Sequence, residues 1–307
     1  MPRRTLRFRR RAIPRVRDYG NDINRQTIMN WFFYAAMCAF FYGVEGVYLK
    51  YLNRKGIDEG TLTFAMFFYA LPFLFIPACL SNQRTFTGNF ILYFSLVTVI
   101  DGFGYLFYST SIKNGEVSLV VPVLSLSPVV VMPFSWLLLR EMPPAKGVIG
   151  MLIIGLGLAL LSAGNGAASP KIFFKNRGVR YALLTVLVWG VSANLDKMAL
   201  KCSGPLVYPF VICAGLAAFC YLFTTRERAF DKKNVPLFFV LGAVNAMLFL
   251  THMLALNTGY VSYLIAVKRS GMLIAVLLGW LFFKEKSPGL KFLASIFIIA
   301  GIYMLVR

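Results

Sequence analysis

Apolar runs of about 20 residues alternate with short polar segments along most of the chain. Each run is long enough to cross the ~30 Å hydrocarbon core of a bilayer as a helix. The ten runs lie near 29–50, 61–80, 89–110, 117–139, 147–164, 178–200, 205–225, 235–256, 260–283 and 288–306. The longest interruptions, 163–177 and 226–234, are too short for a soluble domain. The pattern predicts an all-α integral membrane protein with ten transmembrane helices.

The two halves of the chain repeat one pattern. Setting Glu141 against Glu285, an offset of 144 residues, aligns the last two helices of each half without gaps. The matched residues include Gly115 with Gly259, Ser118 with Ser262, Trp136 with Trp280, Pro144 with Pro288 and Gly157 with Gly301. Because five crossings are an odd number, the second half enters the membrane from the opposite face. The sequence thus predicts two inverted five-helix repeats, a fold that places binding sites near the midplane between the repeats.

The predicted boundaries follow from this duplication. We expect a basic N-terminal tail at 1–28, a first repeat at 29–164, a linker at 165–177 and a second repeat at 178–307. The tail has no signal-peptide core. It either anchors the chain on the cytoplasmic face or is not translated, in which case the chain starts at Met29.

Composition and charge agree with a membrane protein and exclude other classes. The chain is 58% hydrophobic and 14% charged, with a mean hydropathy of +0.69. The formal charge of +20 lies mostly in loops and in the tail, so it indicates membrane topology and contact with anionic lipid rather than nucleic acid. One histidine, and five cysteines without ligand spacing, predict no metal site. No nucleotide-binding motif is present, and no cofactor is expected.

Two stretches carry a family resemblance. "VSLVVPVLSLSP" is followed by "SWLLLREMPP", and "VSYLIAVKRSG" by "GWLFFKEKSP", with glycine-rich fifth and tenth helices. In a ten-helix chain this pattern resembles the EamA-type branch of the drug/metabolite transporter superfamily, from Asn30 onward. The resemblance implies transport of amino acids, other small metabolites, nucleotide sugars or drugs, often outward, with both termini in the cytoplasm. The Lys-Arg pair is not a general feature of that family pattern.

Polar side chains at depth provide the candidate site. Each costs roughly 2.5–3.5 kcal/mol on insertion scales, so it persists mainly where it faces a cavity or a partner. The substrate-binding candidates are Lys268, Arg269, Asp101, Glu45, Asn245, Asn194, Tyr105 and Tyr263. The candidates for proton coupling are Asp101, Glu45 and His252.

Lys268 and Arg269 interrupt the ninth apolar run and point about 100° apart around the helix. The corresponding residues of the first half are Leu124 and Ser125, so the cations are an asymmetric addition to a symmetric frame. We expect one of them to contact a carboxylate or phosphate on the substrate. The alternative for Lys268 is that it snorkels to the interface. Asp101 either pairs with one of these cations or acts as a protonatable site or a contact for a substrate amine.

Residues near helix ends and helix breaks have structural interpretations. We expect Asp196 and Lys197 to form an interfacial pair, and Glu141 and Glu285 to anchor helix ends. Ser270–Gly271 and three prolines of the fourth helix interrupt backbone bonding and predict bending points. These prolines are Pro122, Pro128 and Pro133.

The combined expectation is a multi-pass protein of the inner (plasma) membrane, monomeric or homodimeric. It would act as a secondary active transporter, and more specifically as an exporter of a small polar metabolite by alternating access. The substrate would be amino acid-like or another carboxylate-bearing solute. The alternative is a carrier of phosphorylated or lipid-linked sugar in the same fold. No assembled catalytic constellation is seen at depth, so an enzyme is not expected.

Overall fold

The structure of the protein is a computed structural model that describes residues 25–82, 86–114, 120, 123–162, 176–224, 229–283 and 289–306. The tail up to residue 24, residues 165–175 of the predicted linker, Pro122 and Glu285 lie outside the described residues.

The described chain folds into helices joined by short connections. They are α1 (Arg25–Arg54), α2 (Glu59–Phe68), α3 (Leu71–Leu80), α4 (Phe90–Asn114), α5 (Ser127–Leu139), α6 (Ala145–Ser162), α7 (Arg177–Ser203), α8 (Tyr208–Tyr221), α9 (Val235–Thr258), α10 (Val261–Ser270), α11 (Met272–Phe283) and α12 (Gly289–Val306). α2 and α3 together form the second span, and α10 and α11 form the ninth. The ten predicted spans are thereby confirmed, and five of them are long and apolar enough to cross a membrane by length and composition.

Local sequence determines where several helices begin. The Asp58 carboxylate accepts hydrogen bonds from the backbone N–H and the hydroxyl of Thr61, both at 2.9 Å, and so caps α2. Asn176 caps α7 by accepting the N–H of Val179 at 3.3 Å. Four other helices have proline as their second residue, where its missing N–H removes no helical hydrogen bond. These prolines are Pro72, Pro128, Pro209 and Pro236.

The packing of the helices has the symmetry of an inverted repeat. α1 packs on α9 as α7 packs on α4, so the first span of each half lies against the third span of the other. α1 also contacts α10 and α11, just as α7 contacts α5. α6 and α12, the last spans of the two halves, pack on each other. Exchanging the halves therefore reproduces these contacts.

The contact between α6 and α12 repeats at the level of single residues. A Cβ added to Gly150 would lie 2.9 Å from the carbonyl oxygen of Gly301, and one added to Gly157 would lie 2.9 Å from that of Ala294. The 144-residue offset carries Gly150 onto Ala294 and Gly157 onto Gly301, so it exchanges the two contacts. Small residues allow this close approach, as is common between membrane helices.

Candidate functional site

The ninth and fourth spans are both interrupted at matching positions. α10 ends at Ser270 and α11 begins at Met272, which confirms the predicted break at Ser270–Gly271. In the first half the backbone turns at Ser125 and Leu126 before α5 begins at Ser127. The 144-residue offset carries Ser127 onto Gly271. Paired interruptions in corresponding segments of two repeats are typical of transporter binding sites.

Arg269 lies at this interruption and is only 4% exposed. Its Nε donates a hydrogen bond to the Ser127 hydroxyl at 3.2 Å, and another guanidinium nitrogen donates to the Tyr42 hydroxyl. The guanidinium carbon lies 5.5 Å from the centroid of the Tyr42 ring and 5.2 Å from that of the Trp189 ring. Hydroxyl groups and aromatic faces therefore hold this cation, with contributions from α1, α5 and α7.

Lys268 lies on the same turn and is half-buried. Its Nζ is 5.6 Å from the centroid of the Tyr42 ring. It interacts electrostatically with Glu45, Asp101 and His252, so it faces the interior of the bundle rather than snorkelling to the interface. No carboxylate of the described residues forms an ion pair with Lys268 or Arg269. Asp101 therefore does not form the ion pair with Lys268 or Arg269 that was one of its two predicted roles.

Two carboxylates face this region with incomplete hydrogen bonding. Asp101, on α4, is 8% exposed and lies near the side chain of Ser192 on α7. Glu45, on α1, is 7% exposed. The Oδ1 atom of Asp101 and the Oε1 atom of Glu45 are buried and have no partner among the described residues. Such acceptors are costly to bury, so a proton, a water molecule or a ligand that bonds to them would stabilise the site.

The two predicted asparagines differ in how much of their amide the protein uses. Asn194 accepts a hydrogen bond from the Ser135 hydroxyl at 2.7 Å and donates to the Gly190 carbonyl at 2.8 Å, which joins α5 to α7. Asn245 donates to the Met66 carbonyl at 2.9 Å. Its Oδ1 is fully buried and unpartnered within the described chain. The Asn245 amide thus keeps an acceptor without a partner in the described chain, whereas both ends of the Asn194 amide are hydrogen-bonded.

The remaining candidates occupy different places. Tyr105 packs edge-on against Trp189, with ring centroids 5.6 Å apart, and Trp189 in turn contacts Arg269. His252 Nδ1 is 3.7 Å from the Cys38 sulfur atom and interacts with Lys268. Tyr263 lies near the start of α10, where its ring packs against Trp31 and Tyr260. These ring contacts place Tyr263 apart from Lys268 and Arg269.

The predicted pairing of Asp196 with Lys197 is wrong. Asp196 accepts a hydrogen bond from the Tyr208 hydroxyl at 2.6 Å. Lys197 instead forms an ion pair with Glu141 at 2.7 Å and donates to the Gly259 carbonyl at 2.6 Å. Adjacent residues on a helix point about 100° apart, so Asp196 reaches α8 whereas Lys197 reaches the connections that follow α5 and α9. The Lys197 contact agrees with the interpretation of Glu141 as a helix-end anchor.

Sequence reasoning missed Tyr42, Trp189, Ser127 and Ser192. A signal was available in the helical spacing of the first two. Tyr42 lies one turn before Glu45, and Trp189 and Ser192 share a face of α7 at a spacing of three. Polar and aromatic residues at such spacing in apolar helices mark a face that turns away from lipid.

These features together define an inverted-repeat membrane transporter with its polar residues between the halves. The sequence model of the EamA-like transporter family matches the chain twice, at residues 29–163 and 176–307. The chain therefore belongs to this family, whose members are membrane transporters.

One solved crystal structure has the same fold. It shares 18% sequence identity and superposes with a TM-score of 0.70, covering 88% of this chain and 97% of that one. No curated protein matches the chain.

Proposed function

We propose that the protein is a secondary active transporter that exports a small polar metabolite bearing an anionic group. The substrate would be amino acid-like or another carboxylate-bearing solute, and the chain would be a multi-pass protein of the inner (plasma) membrane. The observation that carries the proposal is Arg269: a buried cation at an interrupted helix, with no described carboxylate in ion-pair contact.

The energetics of burial support an anionic ligand. Removing a cation from water costs several kcal/mol unless an opposite charge or good hydrogen bonds compensate it. Tyr42, Trp189 and Ser127 supply ring faces and hydroxyl oxygens but no charge. A carboxylate or phosphate from a ligand would supply the missing charge, and a guanidinium binds either group in bidentate fashion. Lys268, on the same turn, would add a second positive charge.

The unpartnered oxygens of Glu45 and Asp101 extend the proposal. In an amino acid-like substrate the ammonium group would bind these acceptors while its carboxylate binds Arg269. In the absence of substrate the same carboxylates would carry the coupling proton, with His252 as a further candidate. Asn245 Oδ1 would accept a hydrogen bond from the ligand, and Tyr105 would line the path.

A phosphorylated sugar is the alternative substrate, favoured by the adjacency of two cations in Lys268 and Arg269. A lipid-linked form would also need a lateral route. The structure has a groove of about 440 Å³ beside the break between α2 and α3, lined wholly by apolar or aromatic residues. They are Phe68, Tyr69, Leu71, Pro72, Phe75, Phe210 and Phe239. No charged residue of the proposed site lines this groove, so it does not favour the lipid-linked form.

The test compares extracellular metabolites of cells that carry the wild-type protein, Arg269→Ala or no protein. We expect one anionic solute to accumulate outside only with the wild type. Loss of a charge-assisted hydrogen bond worth roughly 1.5–3 kcal/mol would weaken binding about 10- to 150-fold. The chemistry of that solute separates a carboxylate-bearing metabolite from a phosphorylated sugar.

Arg180→Ala is the matched control. Arg180 is exposed near the start of α7, so the variant also removes an arginine, but away from the site. We expect it to export like the wild type. If Arg269→Ala also exports normally at equal abundance in the membrane, the role of Arg269 in binding is wrong.

A further inference from the structure

A second polar cluster lies between the two halves at the membrane face where α1 begins, here called the N-terminal face. We call Lys197, Glu141 and the Gly259 carbonyl the Lys197 cluster. The Lys197 amine lies 2.7 Å from the Glu141 carboxylate and 2.6 Å from the Gly259 oxygen. The two side chains are only 7% and 19% exposed. Glu141 belongs to the first family repeat, and Lys197 and Gly259 belong to the second.

The backbone holds Glu141 toward Lys197 at a cost. Arg140, which ends α5, takes a left-handed conformation with φ of 57°. It is the only non-glycine residue of the described chain with a positive φ. For a residue with a Cβ, this conformation costs roughly 1–2 kcal/mol. The turn directs the Glu141 N–H back to the Ser135 carbonyl at 3.1 Å. Strain of this kind persists where the surrounding contacts favour it.

Other contacts across the repeats surround the cluster on the same face. Gly259 packs directly against the indole ring of Trp31 near the start of α1. In the connection before α4, the N–H of Thr87 donates to the Cys202 carbonyl at 3.1 Å. These residues bring the connections before α4, α6 and α10 against the ends of α1 and α7. The N-terminal face is therefore joined across the repeats at several points.

We propose that the Lys197 cluster is a gate: it holds the two repeats together at the N-terminal face and must open before a solute can pass between that face and the central polar residues. Lys197 contacts both α5's end and the connection before α10, so separation of the halves breaks both contacts. Water would then solvate the separated charges, which lowers the cost of opening relative to a gate made of apolar contacts. This inference needs only that the protein is a transporter and does not depend on the identity of the substrate.

Cys38 provides a native reporter for the test. It is fully buried on α1 beside His252, and it interacts electrostatically with Lys268 and Glu45. A reagent reaches it only when the bundle opens. The full chain would be prepared with Cys38 as its only cysteine and placed in sealed vesicles of known orientation. A membrane-impermeant maleimide added to one face then reports the rate of opening toward that face.

We expect Lys197→Met and Glu141→Gln each to raise the rate of Cys38 labelling from the N-terminal face about tenfold, because an interaction present in only one access state biases the equilibrium. The double variant should label no faster than either single variant, since the two residues act through one contact. Lys146→Met is the matched control. It removes a charge from an exposed residue at the start of α6, on the same face, and should leave the rate unchanged.

Three results would overturn the gate. They are unchanged labelling in both single variants, independent effects that multiply in the double variant, and equal acceleration from both faces, which would indicate general loosening. If Lys197→Met or Glu141→Gln does not fold, Glu141→Asp replaces it in the test. It shortens the side chain by one methylene, and we expect an intermediate rate from the N-terminal face alone.

Discussion

The approach of α1 to the break in the ninth span gives the sharpest test of the packing. A Cβ added to Gly43 would lie 2.5 Å from the carbonyl oxygen of Gly271, 2.8 Å from the Cβ of Ile274 and 3.1 Å from the backbone nitrogen of Ala275. Two of these three neighbours are backbone atoms, which cannot rotate away. Gly43→Ala therefore forces α1 and the break apart.

The chain supplies its own control one turn further along α1. A Cβ added to Gly46 would meet nothing within 4 Å. Gly43→Ala and Gly46→Ala gain the same ~0.8–1.0 kcal/mol of helix propensity, which cancels when the two variants are compared. What remains is the cost of overpacking, typically about 1–3 kcal/mol. With ~2.1 cal/mol/K of unfolding entropy per residue, this corresponds to a difference in Tm of roughly 2–5 °C for a chain of this length.

The assay is thermal unfolding of both variants in the same detergent, followed by the loss of monodisperse protein on size exclusion. We expect Gly46→Ala to match or exceed the wild type and Gly43→Ala to fall below it. Tyr42 precedes Gly43 and bonds Arg269 through its hydroxyl, so Gly43→Ala should also weaken binding of the exported solute. Equal midpoints for the two alanine variants, or a higher one for Gly43→Ala, would show that α1 does not approach the break as described.

Three further predictions concern other contacts. Ser135→Ala leaves the Asn194 Oδ1 without its hydrogen bond and should lower the free energy of unfolding by about 1–3 kcal/mol in chemical denaturation, whereas Ser203→Ala, whose hydroxyl bonds only its own helix, should cost less. Asp101→Asn should abolish proton movement coupled to transport while exchange of substrate continues; intact coupling in a pH-sensitive dye assay would contradict the proposed role. Reporter fusions should place a tag after Ser169 outside the cell and a tag at the C-terminus inside, and the opposite result would reverse the orientation.

Much of the fold can be predicted from the sequence because membrane insertion constrains the sequence in simple ways. The bilayer requires apolar runs of fixed length. The duplication places helix breaks and helix ends at corresponding positions in both halves. Ser270–Gly271 could be identified as a break because serine and glycine interrupt an otherwise apolar helix there. In the fourth span the turn at Ser125 and Leu126 comes just before the predicted bending point Pro128, whereas Pro133 lies inside α5.

The candidate site was less accessible to sequence reasoning. Lys268, Arg269, Asp101 and Glu45 could be found because charge at depth is costly wherever it occurs. Their partners depend on which helices pack together, and the sequence of an apolar helix gives little indication of its neighbours. Tyr42 and Trp189 bind Arg269 from positions 227 and 80 residues away along the chain. The error over Asp196 and Lys197 has the same origin, because residues that are adjacent along a helix need not be partners in space.

The matching breaks in the fourth and ninth spans bear on how the two directions of transport compare. In a perfectly symmetric repeat, exchanging the conformations of the halves would convert the inward-open state into an outward-open state of identical energy. Here one break carries Arg269 and the other carries Ser125, so this degeneracy is lifted. The two access states then differ in free energy and in the geometry they offer a solute, and the apparent affinities measured from the two sides of the membrane should be unequal.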